Sequence, residues 1–145
     1  MLNKKTVRDV QVGGKRVLVR CDFNVPLDKE DPTKITSDKR IVESLKTINY
    51  LINAGARVIL CSHIGKTGQG KTLAPVAKRL SELLDKEVKL LPDITSEETK
   101  EAVMALNDGD VVLLENTRKY EEEEANDPEF ARKLASLGEI FVNDA

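Results

Sequence analysis

The amino-acid sequence predicts an α/β fold, a doubly wound parallel sheet of five strands (Rossmann-like, three layers) with helices on both faces. Three observations lead there. Five short apolar runs, at residues 17–19, 58–60, 88–91, 111–114 and 140–142, are each bounded by turn formers, as buried strands are. The segments between them are long enough, and periodic enough, to be crossover helices. Most of the runs pass directly into charged or amide side chains, the pattern of strands that leave a buried sheet at its carboxyl edge, where open α/β sheets bind ligands.

The elements follow in order. A short segment at residues 7–12 and the pair Gly13-Gly14 precede the first strand, Val17-Leu18-Val19, which continues as Arg20-Cys21-Asp22-Phe23-Asn24-Val25-Pro26. A charged loop at 28–33 contains Pro32. The first helix is expected to be capped by Ser37 with Asp38 in its first turn, where a carboxylate suits the helix dipole. Ile41, Leu45, Ile48 and Ile52 form its apolar face, Glu43, Lys46 and Asn53 face water, and Gly55 ends it. After the second strand a glycine-rich stretch leads to a helix over 73–84, with Thr72 as its cap and Pro75 tolerated in the first turn. The third strand precedes a helix with a Thr95/Glu98 capping box, running to about residue 106. Asn107-Asp108-Gly109 turns into the fourth strand, and an acidic run, Glu121 to Glu124, follows it. Pro128, just after Asp127, opens the last helix, Gly138 closes it, and the fifth strand ends the chain.

The 145 residues are enough for one domain with its own core, and aliphatic side chains must fill it, since aromatics are only 3% and Trp is absent. A net charge of −2 gives neither nucleic acid nor an anionic membrane a basic surface to bind. No run approaches the length of a membrane span and no N-terminal stretch reads as a signal peptide, so a cytoplasmic protein is expected. Reduced, buried thiols are therefore expected at Cys21 and Cys61, although a disulfide between neighbouring strand ends stays open. One histidine excludes a zinc cluster of the usual kind.

The residues beyond the strands define a candidate site: Arg20, Asp22 and Asn24; Ser62, His63 and Lys66; Glu115, Asn116 and Arg118; Asn143 and Asp144. Cationic and amide groups dominate, which suits a phosphate or a carboxylate. A competing pattern overlaps it. Gly65-Lys66-Thr67-Gly68-Gln69-Gly70-Lys71-Thr72 has the spacing of a phosphate-binding P-loop. In that reading backbone N–H groups hold nucleotide phosphates, Lys71 reaches the terminal ones, Thr72 binds Mg²⁺, and Glu115 or Asp144 stands near the metal. Otherwise the stretch is a glycine-rich connection whose Thr72 caps a helix.

Six segments decide between these readings. Arg20-Cys21-Asp22-Phe23-Asn24-Val25-Pro26, Ser37-Asp38-Lys39-Arg40-Ile41, Ser62-His63-Ile64-Gly65-Lys66, Leu73-Ala74-Pro75-Val76-Ala77, residues 109–118 and Phe141-Val142-Asn143-Asp144-Ala145 resemble, in order, the signatures of the phosphoglycerate kinase family. The resemblance covers residues 4–145 and implies that residues 1–145 are the N-terminal, 3-phosphoglycerate-binding domain, incomplete at its C-terminus, with the closing strand and the nucleotide domain missing. It implies a phosphoryl transfer between ATP and the carboxylate of 3-phosphoglycerate, giving 1,3-bisphosphoglycerate, in glycolysis. Asp22 and Asn24 would contact the hydroxyl and carboxyl end of the acid. Arg40 would stabilise the transferring phosphoryl group, and His63, Lys66 and Arg118 would hold the 3-phosphate. Mg-ATP or Mg-ADP would bind the other domain, with no cofactor or metal on this chain. Lys66 stands where the family usually has arginine, and Lys119 where an aromatic is usual. Read locally, Arg40 is an exposed helical arginine near Glu43. The family is usually monomeric, whereas an unpaired sheet edge would favour self-association of the fragment. A non-catalytic remnant is the third possibility.

Overall fold

The computed structural model describes residues 10–62, 72–93, 96–115 and 128–144. The elements run β1 (Arg16–Arg20), α1 (Lys39–Asn53), β2 (Arg57–Cys61), α2 (Ala74–Leu84), β3 (Val88–Leu91), α3 (Glu97–Met104), β4 (Val111–Leu114), α4 (Pro128–Ala135) and β5 (Ile140–Asn143). Among the described residues all four strand pairings are parallel, in the order β3-β4-β2-β1-β5. The predicted doubly wound sheet is therefore the observed one.

Side-chain alternation along the strands sorts the core into two layers. Val17, Val19, Val58, Leu60, Val111 and Leu113 point to one face, where Ile41, Ile48 and Leu51 of α1 and Val76 and Leu80 of α2 cover them. Leu18, Ile59, Val112, Leu114 and Leu91 point to the other, against Val103 of α3, Leu134 of α4 and Leu137 just after it. Right-handed crossovers explain this division. The chain steps one way along the sheet from β1 to β2 to β3, then reverses to β4 and β5, so the helix pairs fall on opposite faces. The reversal puts a topological switch point between β2 and β4, where their carboxyl ends diverge.

Several local expectations shift. The helix α1 begins at Lys39 with Asp38 as its N-cap, and Ser37 Oγ reaches the Lys39 N–H only at 3.5 Å. Its buried face is Ile41, Ser44, Ile48 and Leu51, with Leu45 and Ile52 only partly buried. Helix α3 is capped by Ser96, whose hydroxyl accepts from the Thr99 N–H, and ends at Met104; Thr95 lies outside the described residues. Gly55, at a φ of 81°, supports the turn after α1 at little steric cost. No described helix is long and apolar enough to cross a membrane.

Candidate functional site

Beyond β1 the chain stays extended and keeps alternating: Cys21, Phe23 and Val25 are buried while Asp22 and Asn24 face outward. Two bonds hold this register. The Cys21 N–H donates to the Cys61 carbonyl at 3.0 Å, extending the sheet by one step. The Phe23 N–H then donates to Ser62 Oγ at 2.8 Å, in a buried position where a backbone donor needs a partner. Full burial of the Phe23 side chain adds about 2–3 kcal/mol. Asp22 and Asn24 are thus presented from a fixed backbone.

The Asp22 carboxylate faces two donors. Oδ1 accepts from the Asn24 N–H at 3.2 Å, and Oδ2 accepts from Arg40 Nη1 at 2.7 Å. The two side chains remain 44% and 51% exposed, so water screens the pair and its share of stability is small, under about 1 kcal/mol. Arg40 also stands in the wrong place for helix stability. Lys39 and Arg40 occupy the first turn of α1, where the dipole disfavours cations, and no acidic residue offsets them there.

Neighbouring bonds fix the elements around this pair. Asp38 Oδ2 accepts from Arg79 Nε of α2 at 2.9 Å, and Arg79 Nη1 reaches Glu82 Oε1 at 3.3 Å; both bonds raise the Arg79 pKa above its ordinary value. Glu115, buried just after β4, accepts from Thr72 Oγ1 at 2.6 Å and from the Leu73 N–H at 2.7 Å. Thr72 Oγ1 also accepts from the Ala74 N–H at 3.1 Å. The hydroxyl that the P-loop reading gives to Mg²⁺ is therefore engaged in starting α2, and Glu115 anchors that start. At β5 the Asp144 N–H donates to the Arg20 carbonyl, and Asp144 Oδ1 accepts from Thr47 of α1 at 3.0 Å.

The loop between β1 and α1 has a narrow neck. Leu27 and Ile35 form an antiparallel bridge, the Asp28 N–H donates to the Lys34 carbonyl, and the Thr36 N–H donates to the Pro26 carbonyl. Asp28 and Asp31 side chains tie the loop's own backbone.

Both thiols are free and buried. They sit at adjacent strand ends but on opposite faces of the sheet, Cys21 in the α1/α2 layer and Cys61 in the α3/α4 layer, which leaves no geometry for a disulfide. Burial, then the nearby Asp144 and Cys61, push the Cys21 pKa far up. Burial pushes Cys61 up to about 11, against a smaller opposing pull from Arg20. Neutral thiols of this kind are packing groups, not nucleophiles.

Of the site residues expected from sequence, Asp22, Asn24 and Arg40 meet at the carboxyl edge. His63, Lys66 and Arg118 lie outside the described residues. The segments that carry them follow Ser62 and Glu115, at the ends of the two strands that flank the switch point. The support given by Ser62, Glu115 and Arg79 escaped sequence reasoning. Each acts across elements, and only Ser62 and Glu115 carried a signal, as polar residues just past an apolar run.

A parallel α/β domain that gathers a guanidinium and a carboxylate at the carboxyl edge of its sheet has them where open α/β sheets bind ligands. Comparison with known proteins narrows the class. The phosphoglycerate kinase family profile matches residues 7–145, and the chain belongs to that family. Phosphoglycerate kinase of Clostridium novyi (strain NT) is 58% identical over 150 residues, covering 99% of this chain and 37% of that protein. That of Clostridium botulinum (strain Eklund 17B / Type B) is 60% identical over 149 residues, with the same coverage. The crystal structure of the Pyrococcus horikoshii OT3 enzyme superposes with a TM-score of 0.85 at 36% identity, over 96% of this chain and 36% of that one. The structure from Coxiella burnetii gives 0.80 at 38% identity, over 96% and 34%. The chain thus spans little more than a third of the length of these relatives.

Proposed function

We propose that this chain binds 3-phosphoglycerate as the acid-substrate part of phosphoglycerate kinase, and that by itself it does not turn over ATP. The observation that carries the reading is the half-exposed Asp22–Arg40 pair beside Asn24 at the carboxyl edge, held by a buried framework and contributing little to stability. In the transfer a carboxylate oxygen of the acid attacks the γ-phosphorus of ATP, the bond to the ADP oxygen breaks, and no proton moves. An ionised carboxylate needs no general base, so positioning and charge stabilisation carry the catalysis. Asp22 and Asn24 orient the hydroxyl and carboxyl end of the acid. Arg40 neutralises charge developing on the transferred group, a role worth on the order of 10³ or more in comparable transfers. His63, Lys66 and Arg118 complete the site as phosphate ligands, with lysine at 66 giving a point charge in place of a planar fork. The nucleotide and its Mg²⁺ belong to the remainder of the family's fold. The P-loop alternative is disfavoured by the engagement of Thr72 with Glu115 and the first turn of α2.

The test is an NMR titration of the 145-residue chain with 3-phosphoglycerate. Shifts at Asp22, Asn24 and Arg40 are expected at millimolar ligand. Arg40→Ala should weaken binding at least tenfold while changing stability by less than about 1 kcal/mol. Absence of shifts near these residues overturns the binding role. Steady ATP turnover by the chain above the Arg40→Ala background overturns the claim that it is inactive alone.

A further inference from the structure

We propose that Arg79 is a positioning residue for Arg40, acting by holding the Asp38 carboxylate away from the start of α1; this deepens, and rests on, the reading of the rim as an acid-substrate site. An aspartate at an N-cap normally accepts a hydrogen bond from the backbone N–H two or three residues on, here that of Arg40 or Ile41. Asp38 makes no such bond. Its backbone, at φ −103° and ψ 16°, lies outside the extended geometry that capping uses, and its Oδ2 is bonded across to Arg79 Nε at 2.9 Å. Glu82, one turn along α2, steadies the same guanidinium. An N-cap that forgoes its local bond for a contact with another helix is an exception to the rule for this residue type.

The consequence falls on Arg40. Were the Asp38 carboxylate to swing onto the first turn of α1, a second negative charge would stand beside Arg40 in addition to Asp22. Two carboxylates about one guanidinium would occupy its donors and repel an arriving anion. With Asp38 drawn to α2, Asp22 is the only carboxylate salt-bridged to Arg40 among the described residues. Arg79 is bonded to Asp38 and Glu82 and not to Asp22 or Arg40, so its effect on Arg40 passes through Asp38.

Arg79→Gln in the 145-residue chain tests this. Its dissociation constant for 3-phosphoglycerate, by NMR titration, should rise about fivefold to tenfold, with a melting temperature close to that of the parent because the part-exposed Asp38–Arg79 pair contributes little to stability. Asp38→Asn in the Arg79→Gln background should restore affinity to within twofold, since asparagine caps without charge. A residue serving stability alone would give the reverse pattern, a lower melting temperature and no rescue. Unchanged affinity in Arg79→Gln, or a double variant that stays weak, overturns the proposal. If the parent chain binds no 3-phosphoglycerate, the substrate reading fails separately. The Arg40 Nε–Hε resonance then decides: it should move in Arg79→Gln and return in the double variant, and a resonance that does not move overturns the positioning role.

Discussion

At the amino edge of the sheet, the Gly14 N–H donates to the Gly55 carbonyl at 2.9 Å, Arg57 N–H to Lys15 at 2.8 Å and Gly109 N–H to Ala56 at 2.7 Å. Charged side chains there close onto the same framework. Arg57 pairs with Asp108, Lys86 donates to the Gly109 carbonyl, and Arg16 donates to Glu139 through its N–H and to the Leu137 carbonyl through Nε. At the carboxyl edge, the buried groups are just as well bonded, but Asp22, Asn24 and Arg40 reach past them into water. The connections differ to match. Those entering strands span residues 54–56, 85–87, 105–110 and 136–139, whereas those leaving strands span 21–38, 62–73, 92–96 and 115–127, so every exit but the one after β3 is longer than any entry. Short entries lock the framework, and long exits give the surface on which binding groups can be arranged. Because every described strand pair is parallel, entries and exits lie on opposite edges, and only the exit after β3, at 92–96, is as short as an entry.

The sharpest way to break the contrast is to strain the amino edge. A Cβ at Gly138 would lie 2.8 Å from Leu18 Cβ and 3.0 Å from Leu18 N, so Gly138→Ala should cost up to about 3 kcal/mol in a urea melt. The folded fraction should bind 3-phosphoglycerate as before. A neutral substitution would mean that this edge is not tightly closed. The second test uses the thiols beneath the carboxyl edge. As pH rises past their ordinary value of 9.0, they ionise in the unfolded chain first, while Cys61 keeps its proton until about 11. The native state then binds more protons, so stability falls with rising pH between those values, by about 1.4 kcal/mol per unit for each thiol. Cys61→Ala should remove about half of that slope in melts at pH 8 to 10.5, leaving the contribution of Cys21; an unchanged slope would place its origin elsewhere. The smallest effect separates framework from site. Ser62→Ala removes the acceptor of the Phe23 N–H, costing about 1–2 kcal/mol, and should also weaken ligand binding by loosening Asp22 and Asn24. Loss of stability with full binding would uncouple the two.

The inner strands β1, β2 and β4 could be read from the sequence because burial on both faces writes them as unbroken apolar runs, while the partly exposed edge strands β3 and β5 were legible as short runs between turn formers; the spacing of all five implied crossover helices. Helix beginnings were less legible. Asp38 and Thr72 are capping residue types, yet one bonds to Arg79 and the other also to Glu115, partners 41 and 43 positions away. The buried face of α1 was misassigned in part because Ser44, a polar residue, is buried where it can hydrogen-bond Cys21. At the site, Asp22 and Asn24 were visible as outward positions of an alternating run. Arg40 was not: its local environment suggested Glu43 as a partner, and the structure pairs it with Asp22, 18 residues earlier. Family resemblance, not periodicity, singled it out.

The pinched neck at Leu27 and Ile35 makes residues 28–34 a side excursion closed at its base by its own hydrogen bonds. Foreign peptide could be spliced in there and displayed on the surface, at an entropic cost that grows only slowly with its length. Asp22 and Arg40, on either side of the neck, would keep their separation throughout.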